Sequence, residues 1–240
     1  MELNKYQISS ECVIFQAELG EWLNLNHMIV CLKTQKAVIV DPFDGDFWFD
    51  VASSENLLLS EVWFTHTHFD HIRGLERLEE INPDIIFRWH AAEKERGWHR
   101  ENPHVWTHRP HSSFIEKCGQ LEILVHVTPG HSPGHVAFEG PSFLISGDCL
   151  FLGRCGRVDL FGGNTKDMWA SINYLKSVIH KKPPSSLIFP GHRYEIDDGT
   201  SPLTLSCSEL LEKNPVLLAN SYEHFLKLPF LSFDDHLSSV

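Results

Sequence analysis

Six consecutive residues, 66–71, read His-Thr-His-Phe-Asp-His and directly follow an apolar run. On an extended segment, residues two positions apart point to the same side, so His66 and His68 can bind one metal ion together. Asp70 and His71 fall where the chain turns into a stretch of helical periodicity, and they therefore face a second ion beside the first. Histidine and carboxylate ligands around two ions are suited to metal-dependent hydrolysis.

Because the chain contains 16 histidines, one such cluster can arise by chance, and the other motifs decide the question. Three further segments each place a histidine or an aspartate just beyond a strand-like apolar run, in a turn rich in glycine or proline. They read Thr-Pro-Gly-His-Ser-Pro-Gly-His at 128–135, Ser-Gly-Asp at 146–148 and Phe-Pro-Gly-His at 189–192. Four ligand-bearing segments at strand ends favour a metal site over chance.

The elements that must position these motifs follow from the apolar pattern. Short runs of β-branched and apolar residues predict strands at 12–16, 27–33, 37–40, 121–127, 143–145 and 187–189. Helical signals predict helices at 72–81, 91–97, 164–180, 205–213 and 216–226. A glycine stop closes the helix at 91–97, and the apolar positions of 164–180 fall at helical spacing, which indicates a core-facing helix.

Together the four motifs resemble those of the metallo-β-lactamase superfamily, and over residues 24–194 the chain is most similar to its type II glyoxalase (hydroxyacylglutathione hydrolase) branch. The resemblance implies an α+β fold, a four-layer αββα sandwich of two mixed sheets flanked by helices, with the metals at one edge. The implied ligands are His66, His68 and His131 for the first metal, Asp70, His71 and His192 for the second, and Asp148 for both.

A hydroxide held between two divalent ions is a strong nucleophile at neutral pH, because metal binding lowers the pKa of water from about 15.7 to about 7. On this interpretation the hydroxide attacks a thioester carbonyl, both ions stabilise the oxyanion, and the second ion receives the leaving thiolate. Asp70 and Asp148 are the predicted catalytic carboxylates, and Asp70 also orients the hydroxide. Thr65, Asp41 and His135 are expected to fix the imidazole tautomers. Zinc is the expected metal, although iron or manganese suits the same ligands.

Substrate contacts are predicted from the same resemblance. In the glyoxalase branch, a cation and an aromatic residue just past the bridging aspartate bind the glycine carboxylate of glutathione. Arg157 can supply the charge and Tyr194 an aromatic hydroxyl, whereas residues 158–160 lack the tyrosine of the family pattern. The tail is also shorter than that of full-length glyoxalases. We therefore expect a small thioester or related anionic substrate, and leave open whether glutathione is recognised.

A second enzyme class fits part of the pattern. Residues 155–159 and 214–215 also resemble the persulfide dioxygenases of the same superfamily, which hold one iron with two histidines and one carboxylate. In this chain those ligands would be His66, His131 and Asp148. His135 and Gly191 match the hydrolase pattern better, so the hydrolase is preferred.

Three other functions carry less weight. Lactonases that act on acyl-homoserine lactones share the motif at 128–135 and a tyrosine after the last histidine ligand, and they attack an ester in the same way. A β-lactamase is disfavoured because Asp148, and not a cysteine, occupies the expected bridging position. A binding module without catalysis is disfavoured because every expected ligand position is filled.

Composition limits the remaining possibilities. With 240 residues and 42% hydrophobic content, the chain can bury one substantial core, and we predict a main domain at 1–200 with a short helical extension at 201–240 packed on it. A formal net charge of −12 disfavours nucleic acid. Neither a leader-like start nor a long apolar run is present, which predicts a cytoplasmic protein without a membrane partner. The oligomeric state stays open.

The cysteines and the histidine- and tryptophan-rich segment 89–111 each carry a prediction. The six cysteines include no Cys-x-x-Cys pair, which predicts buried, reduced thiols. The segment 89–111 is rich in histidine and tryptophan and contains Arg96, Arg100 and Arg109. It either covers the metal site and offers cations to an anionic substrate or, as we prefer, forms an ordinary solvated surface.

Overall fold

The computed structural model describes residues 2–101, 104–229 and 231, whose strands form two six-stranded sheets. The first sheet contains, in spatial order, β1 (Leu3–Gln7), β2 (Cys12–Leu19), β3 (Asn24–Cys31), β4 (Lys36–Val40), β5 (Leu58–Trp63) and β6 (Ile86–Arg88). The second contains, in spatial order, β7 (Ser113–Cys118), β8 (Leu121–Val127), β9 (Val136–Gly140), β10 (Phe143–Gly147), β11 (Leu187–Pro190) and β12 (Leu205–Ser206).

The two sheets share one topology over most of their width. Each begins as an antiparallel meander, β1 to β4 and β7 to β10. Each then adds a parallel neighbour, β5 beside β4 and β11 beside β10. Parallel pairs need a crossover connection, and helices supply it in both halves. The described helices are α1 (Gly45–Ser54), α2 (Phe69–Ile72), α3 (Leu75–Ile81), a 3-10 helix (Ala91–Arg96), α4 (Thr165–Ile179), α5 (Cys207–Lys213), α6 (Pro215–Leu218) and α7 (Tyr222–Phe225).

Three buried layers of side chains separate the four layers of backbone. Between the sheets, Ile29 and Trp63 of the first pack with Phe138 and Phe189 of the second. The outer core of the first sheet joins its strands to α1 and α3, with Trp48 fully buried. The outer core of the second sheet joins its strands to α4 and to the C-terminal helices. This is the αββα arrangement that the resemblance implied.

The period of two in β2 explains how one strand serves two cores. Val13 and Phe15 face the helices, whereas Cys12 and Ile14 face the second sheet. Every residue of β3 is buried, as expected for a strand covered on both faces. All six cysteines are free and buried, as predicted. In the part of the chain that the structure describes, no helix is both long enough and apolar enough to cross a membrane.

The predicted strands correspond to β2, β3, β4, β8, β10 and β11, but the predicted helices need correction. Of the helix predicted at 72–81, residues 75–81 form α3, whereas Ile72 is the last residue of a separate helix, α2, and the break falls at Gly74. The backbone N–H of Gly74 donates to the carbonyl of Pro42 at 2.8 Å, and a Cβ added there would lie 2.6 Å from that oxygen. The break therefore brings the loop before α1 against the start of α3.

The remaining helix predictions differ at their ends. Residues 91–96 form a 3-10 helix, although Gly97 adopts a φ of 90° and is the glycine stop that the sequence predicted. Helix α4 is confirmed, with the Asn164 side chain accepting from the first-turn amides. Leu205 begins a strand and not a helix, because it pairs with Ile188 of β11. The stretch predicted as one helix at 216–226 forms α6 and α7. Residues 230 and 232–240 of the predicted extension lie outside the described residues.

Candidate metal centre

The ligand-bearing segments meet because of strand direction. Strands β8, β10 and β11 run the same way in the second sheet, so their C-terminal ends lie at one edge. The end of β5 in the first sheet reaches the same edge, where the amide of Val136 donates to the carbonyl of Thr65 at 2.8 Å. A second cross-sheet bond joins the amide of Leu25 to the carbonyl of Gly191 at 2.8 Å. The motifs following these strands therefore converge.

Three groups of potential metal-binding atoms form at this edge, and two of them contain only predicted ligands; the third combines Asp41 with His66 and His71. In the two groups of predicted ligands, the imidazole nitrogens of one and the nitrogens and carboxylate oxygen of the other each lie within 4.8 Å of one another. These two groups are His66, His68 and His131, and Asp70, His71 and His192. Asp148 lies between them, with Oδ2 at 3.5 Å from Nε2 of His131 and 3.3 Å from Nε2 of His192. All seven residues predicted as ligands are thus together at one site.

The donor atoms of the first group fit a divalent metal ion. The Nε2 atoms of His66, His68 and His131 are buried and have no hydrogen-bond partner among the described residues. A buried polar atom without a partner is costly, and three of them converging on one place are rarely tolerated without a ligand. Three imidazole nitrogens are a common donor set for zinc. The site therefore suits a divalent cation.

The histidine pKa values of the two groups are shifted in opposite directions. Burial lowers the pKa of His66 well below its usual range, lowers that of His68 to about 2, and lowers that of His131, with further contributions from neighbouring imidazoles. These three side chains are therefore neutral at pH 7, which is the form that binds a metal.

The second group has the opposite balance in the absence of an ion. Burial lowers the pKa of His71, but the carboxylates of Asp148, Asp70 and Asp41 outweigh this effect and raise it to about 10. The pKa of His192 is also raised well above its usual range, since Asp148 outweighs burial. The same contacts outweigh burial at Asp70 and Asp148 and hold the pKa of both carboxyls below the usual range. Both carboxylates are therefore ionised at neutral pH.

Hydrogen bonds on the far side of the rings fix the imidazole orientation. Nδ1 of His71 donates to Asp41 Oδ2 at 3.0 Å, and the Thr65 hydroxyl donates to the same oxygen at 2.5 Å. The Thr65 hydroxyl in turn accepts from Nδ1 of His66 at 3.0 Å. Nδ1 of His192 donates to the carbonyl of Trp22 at 2.8 Å. When these rings are neutral, each bond places the lone pair on Nε2, the atom that faces the site, so Asp41 and Thr65 lie where the predicted role requires them.

His135 has a different role from the one that the sequence suggested. Its Nε2 accepts from the amides of Asp148 and Cys149 at 3.1 and 3.2 Å, and its Nδ1 bonds to the Thr128 hydroxyl at 2.9 Å. His135 therefore holds the backbone that carries Asp148, and makes these hydrogen bonds in place of one to a metal-binding imidazole. Gly147, with a φ of 52°, allows this close approach.

A buried carboxylate that the sequence analysis missed joins two of the ligand loops. Glu93 is fully buried. Its Oε2 accepts from the Thr67 amide and hydroxyl at 2.9 and 2.6 Å, and its Oε1 accepts from the Ser132 hydroxyl and the Gly134 amide at 2.6 and 2.7 Å. Thr67 precedes His68 and Ser132 follows the third ligand of the first group. No sequence signal marks Glu93, because it stands among charged residues in a short helix.

The histidine- and tryptophan-rich segment contributes one arginine to the site. Arg96 lines the cavity above the ligands and donates to the carbonyl of Thr67 at 2.6 Å. Arg100 instead pairs with Glu79 at 2.5 Å, and Arg109 is exposed and is not a lining residue. Residues 102–103 of this segment lie outside the described residues.

A cavity of about 720 Å³ opens over the ligands, and both predicted substrate contacts line it. The guanidinium of Arg157 forms two hydrogen bonds to the carboxylate of Asp159. The ring of Tyr194 packs against Phe151 with centroids 4.9 Å apart. Asn24, which the sequence analysis did not single out, donates to Asp70 Oδ2 at 2.7 Å.

The family follows from a direct comparison. The model of the metallo-beta-lactamase superfamily matches residues 22–192, a range that contains all seven ligand positions. The chain belongs to the metallo-β-lactamase superfamily. Membership agrees with the four-layer fold and with the histidine and aspartate groups, which suit divalent metals.

Individual relatives differ in what their names say. A hydroxyacylglutathione hydrolase of Tolumonas auensis is 29% identical over 169 residues, which cover 70% of this chain and 62% of that protein. The chain thus spans less than two thirds of this curated superfamily relative. The structure of ETHE1 from Myxococcus xanthus has a TM-score of 0.69 at 23% identity, covering 99% of this chain and 96% of that one. TTHA1623 in a di-iron-bound form has a TM-score of 0.64 at 28% identity, covering 84% and 98%.

Proposed function

We propose that this chain is a dinuclear metal-dependent hydrolase that cleaves a thioester of a small anionic substrate. The observation that carries the proposal is the pair of adjoining ligand groups, each with its donor atoms within 4.8 Å, that share Asp148 as a neighbour. The name of the curated relative, hydroxyacylglutathione hydrolase, supports the same reaction class. Zinc is the proposed metal, and the di-iron form of a related structure keeps iron as the alternative.

Two divalent ions, when bound, lower the pKa of a bound water to about 7 and polarise the substrate carbonyl. The protein holds the ligands in place through Asp41, Thr65 and His135. Asp70 faces the cavity, and Asn24 fixes its carboxylate. As an ionised group within reach of the attacking water, Asp70 is placed to accept a hydrogen bond from it and to orient it.

The overall reaction adds the oxygen of water to the carbonyl carbon and breaks the carbon–sulfur bond. The products are a carboxylate and a thiol, with one proton released. Arg157 and Tyr194 are the proposed contacts for an anionic group of the substrate. Because Arg157 already pairs with Asp159, a substrate anion has to share or displace that partner.

Hydrolysis of S-lactoylglutathione by the metal-loaded protein tests this proposal. Replacing Asp148 by Asn removes a charge that both ligand groups contact. It should lower kcat/KM by more than about 100-fold, because the loss of an outer-shell partner alone costs about 10- to 100-fold. Asp167→Asn, at an exposed position on α4, is the matched control and should leave the rate unchanged. Equal rates for the two variants would contradict the proposed role of Asp148.

A mononuclear persulfide dioxygenase is the second candidate. The favouring observation is that residues 155–159 and 214–215 resemble the corresponding segments of those enzymes. The ligands proposed for a single iron in this chain, His66, His131 and Asp148, are all present. The second group of potential ligands, Asp70, His71 and His192, is present as well, which favours two metals. Oxygen uptake in the presence of glutathione persulfide distinguishes this candidate from the hydrolase.

A further inference from the structure

Large apolar side chains are exposed around the mouth of the cavity. Trp22, Phe69 and Phe161 are 57%, 63% and 74% exposed, and Leu23 is 39% exposed. All four line the cavity, and we call them the apolar rim. They are four of the nine large hydrophobic side chains exposed in the described part of the chain. Such clustering of apolar surface marks a binding site more often than chance exposure does.

The apolar rim adjoins the ligand groups. Phe69 lies between the ligands His68 and Asp70 in the chain, and the carbonyl of Trp22 accepts from Nδ1 of His192. One small molecule can therefore pack on these rings and reach the ligand groups at the same time. The rim cannot serve a distant, separate partner without also covering the entrance of the cavity.

The walls below the rim are cationic. Four arginines, Arg96, Arg154, Arg157 and Arg193, are among the residues that line the cavity, in a chain whose formal net charge is −12. Arg157 and Arg193 also pair with Asp159 and Glu18, and the carboxylates of Asp70 and Asp148 lie at the candidate metal centre. Arg154 is 8% exposed, and its guanidinium carbon lies 5.0 Å from the centroid of the Tyr194 ring. Concentrating cations in the cleft of an acidic protein raises the local concentration of anionic ligands.

We propose that the substrate is an amphipathic anion: a thioester that carries a negative group for the arginines and an aliphatic or aryl group of about six carbons or more for the apolar rim. This inference rests on the proposed hydrolase function and adds the apolar group to it. A substrate as polar as S-lactoylglutathione leaves the rings of Trp22 and Phe161 in water. Covering them removes apolar surface from water and stabilises the complex.

The test is a chain-length series on the metal-loaded protein. Butyryl and octanoyl thioesters of 3-mercaptopropionate share the negative group and differ only in the alkyl chain. We expect the octanoyl ester to have a KM lower by about 10-fold or more, since each buried methylene contributes a few-fold to affinity. The octanoyl thioester of 2-mercaptoethanol, which lacks the negative charge, should bind more weakly than its anionic counterpart.

Single substitutions test whether the chain-length preference arises at the apolar rim. Phe161→Ala and Trp22→Ala should each reduce the octanoyl preference by about 5- to 30-fold, the loss expected for one aromatic contact. Ile115→Ala is the control, because Ile115 is 54% exposed on β7 and does not line the cavity. A KM that does not depend on chain length, or rim variants that behave as Ile115→Ala does, overturns the proposal. A change in sedimentation coefficient without a change in KM also overturns it, and identifies the rim as a contact between two copies of the chain.

A binding measurement separates this proposal from the hydrolase itself. Octanoate and acetate carry the same carboxylate, and calorimetry compares their affinities without any turnover. If no thioester is cleaved but octanoate binds more tightly than acetate and Phe161→Ala removes the difference, the hydrolase proposal fails and the apolar rim stands. If thioesters are cleaved and the two carboxylates bind equally, the hydrolase proposal stands and the proposed role of the apolar rim fails.

Discussion

Glu93 is the residue whose removal most directly tests how the ligand loops are held. Glu93→Gln keeps the size of the side chain but replaces an acceptor oxygen by a donor, so two of the four donors from Thr67, Ser132 and Gly134 lose their partner. We expect binding of the first metal ion to weaken by about 10- to 100-fold, as for other outer-shell partners. Metal titration of the chelator-treated protein, followed by calorimetry, measures the change.

Glu139→Gln is the matched control for Glu93→Gln. Glu139 bonds to His126 and Lys182 at 2.7 and 2.9 Å, away from the cavity lining. The control should lower the free energy of unfolding without changing metal affinity. If both variants lose stability and neither loses metal, Glu93 is only a structural group.

Protonation distinguishes the two ligand groups in a way that calorimetry can detect. Without metal, the pKa of His71 is raised to about 10 and that of His192 is raised above its usual range. Their Nε2 atoms lie 3.2 Å apart, as in a pair that shares a proton, so the second group holds at least one extra proton at pH 7. An ion at the second group must displace that proton, and its affinity should therefore rise with pH. An ion at the first group meets imidazoles that are already neutral, since the pKa of His68 is lowered to about 2.

The expected result is a binding enthalpy at pH 7 that depends on the ionisation enthalpy of the buffer for one ion and not for the other. The same shift also predicts a trend for the metal-free protein. Stability from charged His71 is fully present below its ordinary pKa of 6.5 and is lost as the pH rises towards about 10. If the metal-binding enthalpy depended equally on the buffer for both ions, the two ligand groups would not differ in protonation as proposed.

At the scale of elements, short-range pattern predicted three of the four strands that enter the site, β8, β10 and β11, and marked the fourth, β5, only as an apolar run. Runs such as 121–127 are long and apolar, so β8 and its counterparts were evident. By contrast, β6 has three residues and β12 has two, and such short strands exist only through their neighbours. The break between α2 and α3 likewise depends on Pro42, which lies about 30 residues earlier in the chain and carries no local signal at Gly74.

Gly74→Ala tests whether that break positions the ligands of α2. The backbone of Gly74 has a φ of −78°, so alanine is not strained there, but its Cβ would lie 2.6 Å from the Pro42 carbonyl oxygen. We expect a loss of about 1–3 kcal/mol in the free energy of unfolding, as for other overpacked sites. A weaker second metal site should accompany it, because Asp70 and His71 lie on α2. Urea unfolding and metal titration measure both effects.

Gly199→Ala is the comparison for Gly74→Ala. Gly199 has a φ of 78° and open space around it, so alanine there costs only backbone strain, about 1–2 kcal/mol. Metal affinity should be unchanged in this variant. A normal second site in Gly74→Ala would show that α2 holds its ligands without help from the loop before α1.

At the scale of the whole molecule, the site exists only when the two sheets are assembled. β5 of the first sheet carries four of the seven candidate ligands on the segment that follows it, and the second sheet carries the other three. Cross-sheet backbone bonds, such as Val136 to Thr65 and Leu25 to Gly191, close the same edge. A metal ion held by residues of both sheets would therefore need the folded sandwich and not the separate halves.

Metal removal should consequently destabilise the entire fold. A ligand present at about 1,000 times its Kd adds about 4 kcal/mol to the free energy of unfolding. We expect chelation to lower Tm as one cooperative transition, with both sheets unfolding together. An unchanged Tm, or a transition that splits into two, would show that the metals do not join the halves.

The candidate metal ligands could be predicted from the sequence, whereas the residues that hold those ligands in place could be predicted only in part. All seven candidate ligands were predicted from short motifs, because histidine and aspartate next to glycine and proline are distinctive, and the structure places the seven at one edge of the sandwich. Glu93 and Asn24 could not, since their roles depend on contacts 26 to 46 positions apart. The apolar rim also could not, because exposed and buried aromatic residues look the same in a sequence.

Metal content paired with two activity assays tests the dinuclear hydrolase most directly. Elemental analysis of the purified protein should give about two metal ions per chain, one for each ligand group. The same preparation should cleave a thioester without consuming oxygen. One iron per chain, with oxygen uptake that requires glutathione persulfide and no thioester cleavage, would contradict the account and leave His66, His131 and Asp148 as the working site.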